Sequence, residues 1–527
     1  MSRKLISLLA LALATLLNLT VATDETRKEK SSGQDVVEAT VDLISNSKVF
    51  PQDYNFLYRL AFVETHFGLA KDTFRNSETK GIWSLREEDY NLTKADPLKE
   101  IHAHIIKHFK INWRNTTYRQ LNTPIYSGLA ARLFLQTVSE DIPQTKVSQS
   151  HYWHKYYTQK PNKTGAYFRQ EMEILKEKTP SCEAKLDLTT VLEGSGSFSK
   201  DEFEKTKALI ANWLEAFSNH TDFVRKAFIT VSSSRSKTIF NLTSDLRENE
   251  MRDKILAVKS LHGGKSSEHE AIESAIDIFE AAPERSGVPR VLTLVMNGLS
   301  GGRLFNIRLA EEANMTPFII AISNSTKNQL QISLRFQDQV YNFNSFDAVA
   351  EFLDPMREKV CKVPQDLRNE TTEDTLGKNQ KRYYRYEVPQ DGLTVTLKTT
   401  EGGTNGYYSY SYESPSSAIH DGVLSTSTFI PYPHQYSEMP LSEMEMPHVK
   451  VYLSVKGTGS TNHYEIQSVP GYVSSFPVIG IVFILIAIVI AIMAGGIIAM
   501  IIVMRRRAGE GEREMLIQKP AQVTRGG

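Results

Sequence analysis

Apolar and polar positions change their rhythm several times along the chain. Leu5–Leu19 and Val478–Met504 are near-continuous apolar runs, and the second holds 27 residues without a charge, enough for a helix that crosses a bilayer. Between them, "DVVEATVDLISN", "YNFLYRLAFVETHFGLA", "LKEIHAHIIKHFKI" and "IYSGLAARLFLQTVSE" repeat apolar residues every three or four positions, which predicts an α-helical domain over 35–180. From 182 to 361 the apolar runs "KLDLTTVLE", "KAFITVSS", "SKTIFNL", "RVLTLVMNG" and "FIIAIS" are interleaved with helical patterns at Asp201–Phe217, Arg247–Ser260, Glu268–Ala281 and Ile307–Ala313. Strands apolar on both faces and separated by helices predict an α/β doubly wound domain with a parallel sheet. Residues 362–381 are polar without a period and read as a linker, and 382–472 shows short alternating runs between Gly, Pro, Asn and Ser turns, as in an antiparallel β-sandwich.

At 527 residues the chain exceeds what one core can organise, in keeping with several domains. Lys+Arg and Asp+Glu are both 61, so no net field recruits nucleic acid. Residues 1–22 have a basic start, an apolar middle and the small-residue ending Thr20-Val21-Ala22, the pattern of a secretory signal peptide. Arg505, Arg506 and Arg507 follow the long apolar run at once and by the positive-inside rule hold 505–527 in the cytosol. The expectation is a single-pass type I membrane protein of the plasma membrane with its body outside. Asn91, Asn115, Asn162, Asn219, Asn241, Asn314, Asn324 and Asn369 each begin an Asn-x-Ser/Thr triplet, all on that outer side, although chance supplies some of these. Cys182 and Cys361 are the two cysteines, and an oxidising compartment favours their pairing over two free thiols. A disulfide closing so long a loop would contribute roughly 5 kcal/mol in the loop-entropy account.

Between a strand and a helix stands "VLEGSGSFS", Val191–Ser199. Its small residues admit a ligand close to backbone, and its carboxylate and hydroxyls are hard oxygen donors at a strand's end. Together with "VPRVLTLVMNG" and "FIIAIS", this segment resembles the von Willebrand factor A domain of the inserted type, over nearly all of 182–361 and with flanking cysteines as is common there. The resemblance implies a metal-ion-dependent adhesion site for Mg²⁺, or Ca²⁺ or Mn²⁺, built from Asp-x-Ser-x-Ser, a Thr after paired glycines and an Asp in a Thr-Asp-Gly turn. Those positions carry Glu193, Ser195, Ser197, Ser266 after Gly263-Gly264, and Asn297. Glu193 extends the carboxylate by a methylene and Asn297 removes a charge, so a degenerate site stands beside the alternative of a retained turn in a domain that binds by other surfaces.

In the helical region, "LAFVETHFG" sets Glu64 at the apolar end of a helix, where burial can fit a carboxyl for general-acid work on a glycosidic oxygen. Glu64-Thr65-His66-Phe67 and Gly81-Ile82-Trp83-Ser84 are similar to the signatures of lysozyme-like folds of the lytic transglycosylase and goose type, without their glutamine. The alternative is an ordinary helix end. His102, His104 and His108 lack the glutamate of a zinc helix and read as solvated or half-buried. The stretch "YYRYEVPQDGLTVTL" is loosely similar to pre-peptidase C-terminal β-sandwiches. Ala491, Gly495 and Ala499 form a small-residue stripe that could join two membrane helices in a homodimer. Glu512, Leu516 and Ile517 fit an acidic dileucine sorting signal, implying endosomal or lysosomal cycling, or else fall so by accident. The expectation is a membrane glycoprotein that binds an extracellular protein or glycan ligand. A tethered glycan-cleaving enzyme and a structural surface glycoprotein with inactive sites are the alternatives.

Overall fold

The computed structural model describes residues 22–158, 163–178, 184–193, 198–218, 220–232, 235–260, 268–297, 307–322, 339–367, 371–433, 449–471, 492–493 and 495–504. After strand β1 (Thr23–Asp24), the N-terminal region folds as α1 (Gln34–Asn46), α2 (Phe56–Thr65), the small hairpin β2 (Thr79–Lys80) and β3 (Leu85–Arg86), then α3 (Glu87–Leu92), α4 (Lys99–Phe109), α5 (Pro124–Thr137), α6 (Lys146–Tyr152) and α7 (Gly165–Lys178). Helix α2 is apolar nearly all round and buries nine of its ten residues, so it becomes the centre on which α1, α5 and α7 pack. Trp83 and Trp113 are fully buried, and each satisfies its indole N–H, on the Leu57 carbonyl at 2.8 Å and on Thr93 Oγ1 at 2.9 Å. The turn that delivers Trp83 needs Gly81: φ is +74°, and a Cβ there would lie 2.1 Å from the Leu121 carbonyl oxygen.

The second region contains β4 (Leu186–Glu193), α8 (Lys200–Glu215), β5 (Val224–Ser232), β6 (Arg235–Phe240), α9 (Glu248–Leu256), α10 (Glu268–Ala281), β7 (Arg290–Asn297), α11 (Ile307–Glu312), β8 (Met315–Ile322), β9 (Val340–Phe343) and α12 (Phe346–Cys361). Its six strands run in the order β6-β5-β4-β7-β8-β9. Leu188, Leu192, Phe228, Val291 and Val295 pack on α8 and α12, while Val191, Ile229, Leu292 and Leu294 pack on α10 and α11. Both faces are therefore apolar, which is why the strands read as unbroken apolar runs. One correction concerns direction: β6 pairs antiparallel with β5, because a hairpin of two residues cannot return the chain parallel. The four-residue β9 and the helix after it give little signal in the sequence, the helix because Pro355 lies inside it.

Strand β9 is the sheet's outer edge, and the helical region covers it. The outward carbonyls of Val340 and Asn342 accept from Gln52 Nε2 at 3.2 Å and Tyr54 Oη at 3.0 Å. Gln144 donates to the Asn342 carbonyl at 3.1 Å and accepts from the Asn344 N–H at 2.9 Å. Side chains thus take the place of a neighbouring strand, satisfying an edge that would otherwise invite another chain.

The third region is β10 (Gln365–Asp366), β11 (Thr372–Gly377), β12 (Lys381–Glu387), β13 (Leu393–Glu401), β14 (Thr404–Ser409), β15 (Ile419–His420), β16 (Gly422–Leu424), β17 (Thr428–Ile430), β18 (Lys450–Gly457) and β19 (Thr461–Pro470). They form a five-stranded sheet, β10-β12-β18-β14-β16, and a four-stranded one, β11-β19-β13-β17, with Tyr384, Val395, Leu453 and Ile466 in the shared core. The segment 362–381 is not a linker: β11 pairs with β19 over six residues. Its polarity misleads because one of its inward positions is Asp374, buried in a 2.7 Å ion pair with Arg382. β1 pairs with β15, so the first described residues belong to this region's surface. Gly287, with φ +70°, lets the α/β region approach it closely: a Cβ there would lie 2.2 Å from the Asp366 carbonyl oxygen.

The segment 471–527 forms a separate unit. Of the apolar run 478–504, residues 492–493 and 495–504 are described, all helical and exposed, whereas 478–491 and 494 lie outside the described residues. Among the described residues no helix is long and apolar enough to cross a membrane.

Truncating one partner of the Asp374–Arg382 pair leaves a buried guanidinium without its counter-charge. Asp374→Ala should cost about 3–5 kcal/mol in denaturant unfolding; a loss below the error of the measurement would show that the pair is solvated.

Candidate functional site at the carboxyl edge of the sheet

β4 and β7 are neighbouring parallel strands, registered through Leu192 and Val295, so both end at the same edge of the sheet. Glu193 is the last residue of β4 and Asn297 the last of β7. The sheet thereby brings together the two positions on which the sequence reading departs from a full cation site. Ser195, Ser197 and Ser266 lie outside the described residues. Asn297 is half-buried. Carboxyl edges of parallel strands are where ligands of such sheets bind, since the loops there diverge and expose backbone donors.

The donor chemistry decides how well this edge suits a divalent cation. Hard cations gain affinity with the number of negative ligands. At the motif positions the sequence supplies one carboxylate, Glu193, and an amide, Asn297, and no grouping of three acidic, His or Cys residues suited to a metal occurs among the described residues. These positions are one negative ligand short of the set that the resemblance implies.

Glu64 lies on α2, one residue before its end, half-buried beside a turn in which His66 and Phe67 both have positive φ, 48° and 62°. Trp153 donates its indole N–H to Glu64 Oε1 at 2.8 Å. His66 Nε2 lies 2.9 Å from Glu171 Oε2, the carboxylate being the buried member. Tyr157, fully buried, donates to the Trp83 carbonyl at 2.6 Å, and its hydroxyl is held neutral far above its ordinary range by burial and by the charge of Glu64. This network joins the Glu64 helix end, the "GIW" turn and α7. Its visible work is to fix a non-glycine left-handed turn that is costly alone.

The other sequence candidates fall in varied places. His102 is buried with Nε2 on the Thr93 carbonyl at 2.8 Å, its pKa lowered by burial, and His104 and His108 are exposed on the same helix. Asn91, Asn115, Asn241 and Asn314 are exposed; Arg385 donates to Asn314 Oδ1 at 3.1 Å. Asn162, Asn219, Asn324 and Asn369 lie outside the described residues, as do Cys182 and the tail residues Glu512, Leu516 and Ile517. Cys361, the last residue of α12, is disulfide-bonded. What sequence reasoning missed is the set of residues that join the three regions: Gln52, Tyr54 and Gln144 at β9, and the acidic row Asp35, Glu38 and Asp42 on α1. That row has a visible signal, carboxylates three and four apart on one helix face, but such a row usually marks a solvated face.

The sheet is of the doubly wound α/β class, in which ligands bind at the carboxyl edge. Residues 187–355 match the family model of the von Willebrand factor type A domain, and the chain thus contains a domain of that family. Similar proteins include human vitrin, 26% identical over 165 residues, or 31% of this chain and 24% of vitrin. The human collagen alpha-6(VI) chain is 22% identical over 202 residues, 38% of this chain and 9% of that one. The chain therefore spans a quarter or less of these relatives' length. Among solved structures, proximal thread matrix protein 1 of the mussel byssus, with zinc in its MIDAS motif, gives a TM-score of 0.29 at 15% identity, covering 37% of this chain and 54% of that one. A von Willebrand factor type A protein of Catenulispora acidiphila gives 0.27 at 13% identity, covering 55% and 60%.

If the edge lacks only charge, Asn297→Asp should tighten Mg²⁺ binding by about tenfold in calorimetric titration. No gain over the wild-type protein would mean that the edge is closed or reshaped.

Proposed function

We propose that the protein is an extracellular adhesion or ligand-binding glycoprotein that presents its von Willebrand factor A domain between a helical and a β-sandwich domain, anchored as a single-pass type I membrane protein. The observation that carries the reading is the A-type domain over 187–355, shared with a collagen chain. The secretory pattern at 1–22, the uncharged run 478–504 followed by three arginines, exposed Asn-x-Ser/Thr sites and a disulfide-bonded Cys361 support placement outside the cytosol. Because the donor set at Glu193 and Asn297 is short of charge, we assign ligand binding to protein surfaces that need no metal. The ligand class is an extracellular protein or glycan, and the tail signal at Glu512, Leu516 and Ile517 fits cycling through endosomes.

The second reading, a tethered lysozyme-like glycosidase, draws on Glu64 at the apolar end of α2 beside a strained turn. The Trp153 bond weighs against it, since it already occupies a carboxylate oxygen in a structural network. Peptidoglycan or chitin turnover that Glu64→Gln abolishes would restore this reading; equal turnover by both proteins, or none, removes it.

The ectodomain immobilised against matrix proteins and cell surfaces should retain a ligand, and the binding should be unchanged by EDTA. Binding lost in EDTA would reinstate a metal-dependent edge, and no binding in either condition would overturn the adhesive role.

A further inference from the structure

A cavity of about 1610 Å³ lies where the helical, A-type and sandwich regions meet, larger than the roughly 300–1,000 Å³ of ordinary small-molecule pockets. All three regions line it, with Asn46 at the end of α1, Asn314 beside β8, and Arg385 and Tyr452 on the sandwich. Asp42 of α1 also lines it while accepting from Lys362 Nζ at 3.3 Å, one of the ion pairs that hold the regions together. Where β9 lies beside β8, Gln339 Oε1 and Asn342 Oδ1 are buried and meet no hydrogen-bond donor among the described residues, although both residues line the cavity. Buried acceptors left in that state are costly, and a space this large admits a ligand that donates to them.

Asn314 begins the triplet Asn314-Met315-Thr316 and is exposed at the turn between α11 and β8, in the left-handed region at φ 55°. Asn91, Asn115 and Asn241, the other exposed triplet asparagines, do not line the cavity. The Asn314 side chain is turned toward the sandwich. Its Oδ1 accepts from Arg385 Nη2 at 3.1 Å, and its Nδ2 lies 3.5 Å from Asp366 Oδ2, which the same Arg385 reaches at 3.2 Å. A contact of 3.5 Å is at the limit of a hydrogen bond, so Nδ2 loses little if another group takes its place. Arg385 and Tyr452 stand opposite one another on β12 and β18, which puts a guanidinium and a phenol ring on the wall that Asn314 faces.

We propose that Asn314 carries an N-linked glycan whose first sugars are seated in this cavity against Arg385 and Tyr452, so that the glycan is a built part of the junction. The inference rests on the extracellular reading, which puts the chain where such glycans are added. Attachment joins Nδ2 to the anomeric carbon of an oligosaccharide supplied by a lipid-linked diphosphate donor. The anomeric C–O bond breaks with its electron pair going to the departing diphosphate, and the Nδ2 proton goes to a base. Order of synthesis permits the seating, because Asp366 and Arg385 follow Asn314 by 52 and 71 residues and the sandwich folds onto an asparagine already modified. Sugar hydroxyls donate and accept, so the same chain can donate to Gln339 and Asn342 and accept from Arg385 while a ring face lies on Tyr452.

The test is release of each glycan by a peptide-N-glycosidase from the full-length protein, expressed in cells with a secretory pathway and kept folded in detergent, with mass spectrometry reading the Asn-to-Asp change at each site. Asn314 should be occupied and its glycan released about tenfold or more slowly than those of Asn91, Asn115 and Asn241, since release needs local opening of the junction. After denaturation all sites should be released alike. Tyr452→Ala should bring the Asn314 rate toward that of the exposed sites, and Tyr452→Phe, which keeps the ring, should restore the protection. Equal release from the folded wild-type protein, protection unchanged in Tyr452→Ala, or an Asn314 left bare while the other sites are occupied would overturn the proposal and leave the extracellular reading standing. Bare asparagines at every site would overturn both.

Discussion

The three regions meet where the α1 carboxylates are buried against lysines that come from elsewhere in the chain. Ions cost several kcal/mol each to withdraw from water, and the cost is offset only when partners meet them with good geometry. Asp35, Glu38 and Asp42 satisfy that condition only when the sandwich supplies Lys381 and Lys456 and the end of α12 supplies Lys362. Docking is thereby specified as well as stabilised, because a shift of α1 by one turn would leave a carboxylate at one end of its row and a lysine at the other without partners. The cover over β9 works by the same logic in a neutral form, with Gln52, Tyr54 and Gln144 completing an edge ladder that its own sheet leaves open.

Such a constraint explains why the A-type domain is held from two sides. Its outer strand and its last helix are committed to neighbours, and β4 and β7 end together at Glu193 and Asn297 on the carboxyl edge. A domain fixed by its flank is what the proposed adhesive role would use.

Legibility in the sequence followed the kind of physics involved. Helix α10 appears at Glu268–Ala281, where its periodicity predicts it, and β4, β7 and β8 stand where their apolar runs do, because burial on two faces writes itself directly into residue type. The strand-end positions of Glu193 and Asn297 were legible because the apolar runs before them stop there. Polarity, in contrast, has two meanings that periodicity does not separate. Thr372–Gly377 looked like a linker because Asp374 is charged, although the Arg382 ion pair buries it, and nothing in the sequence marks the charged α1 row as an interface. In each case the partner lies elsewhere in the fold, and only tertiary structure supplies it.

The central claim is that the helical, A-type and sandwich regions are locked into one body by the buried charges at their junction. Calorimetric unfolding of the protein at pH 6 tests it most directly. The account predicts a single cooperative transition for all three regions, which separates into resolved transitions when Asp35 and Asp42 are both replaced by Asn. Resolved transitions already present in the wild-type protein would contradict it.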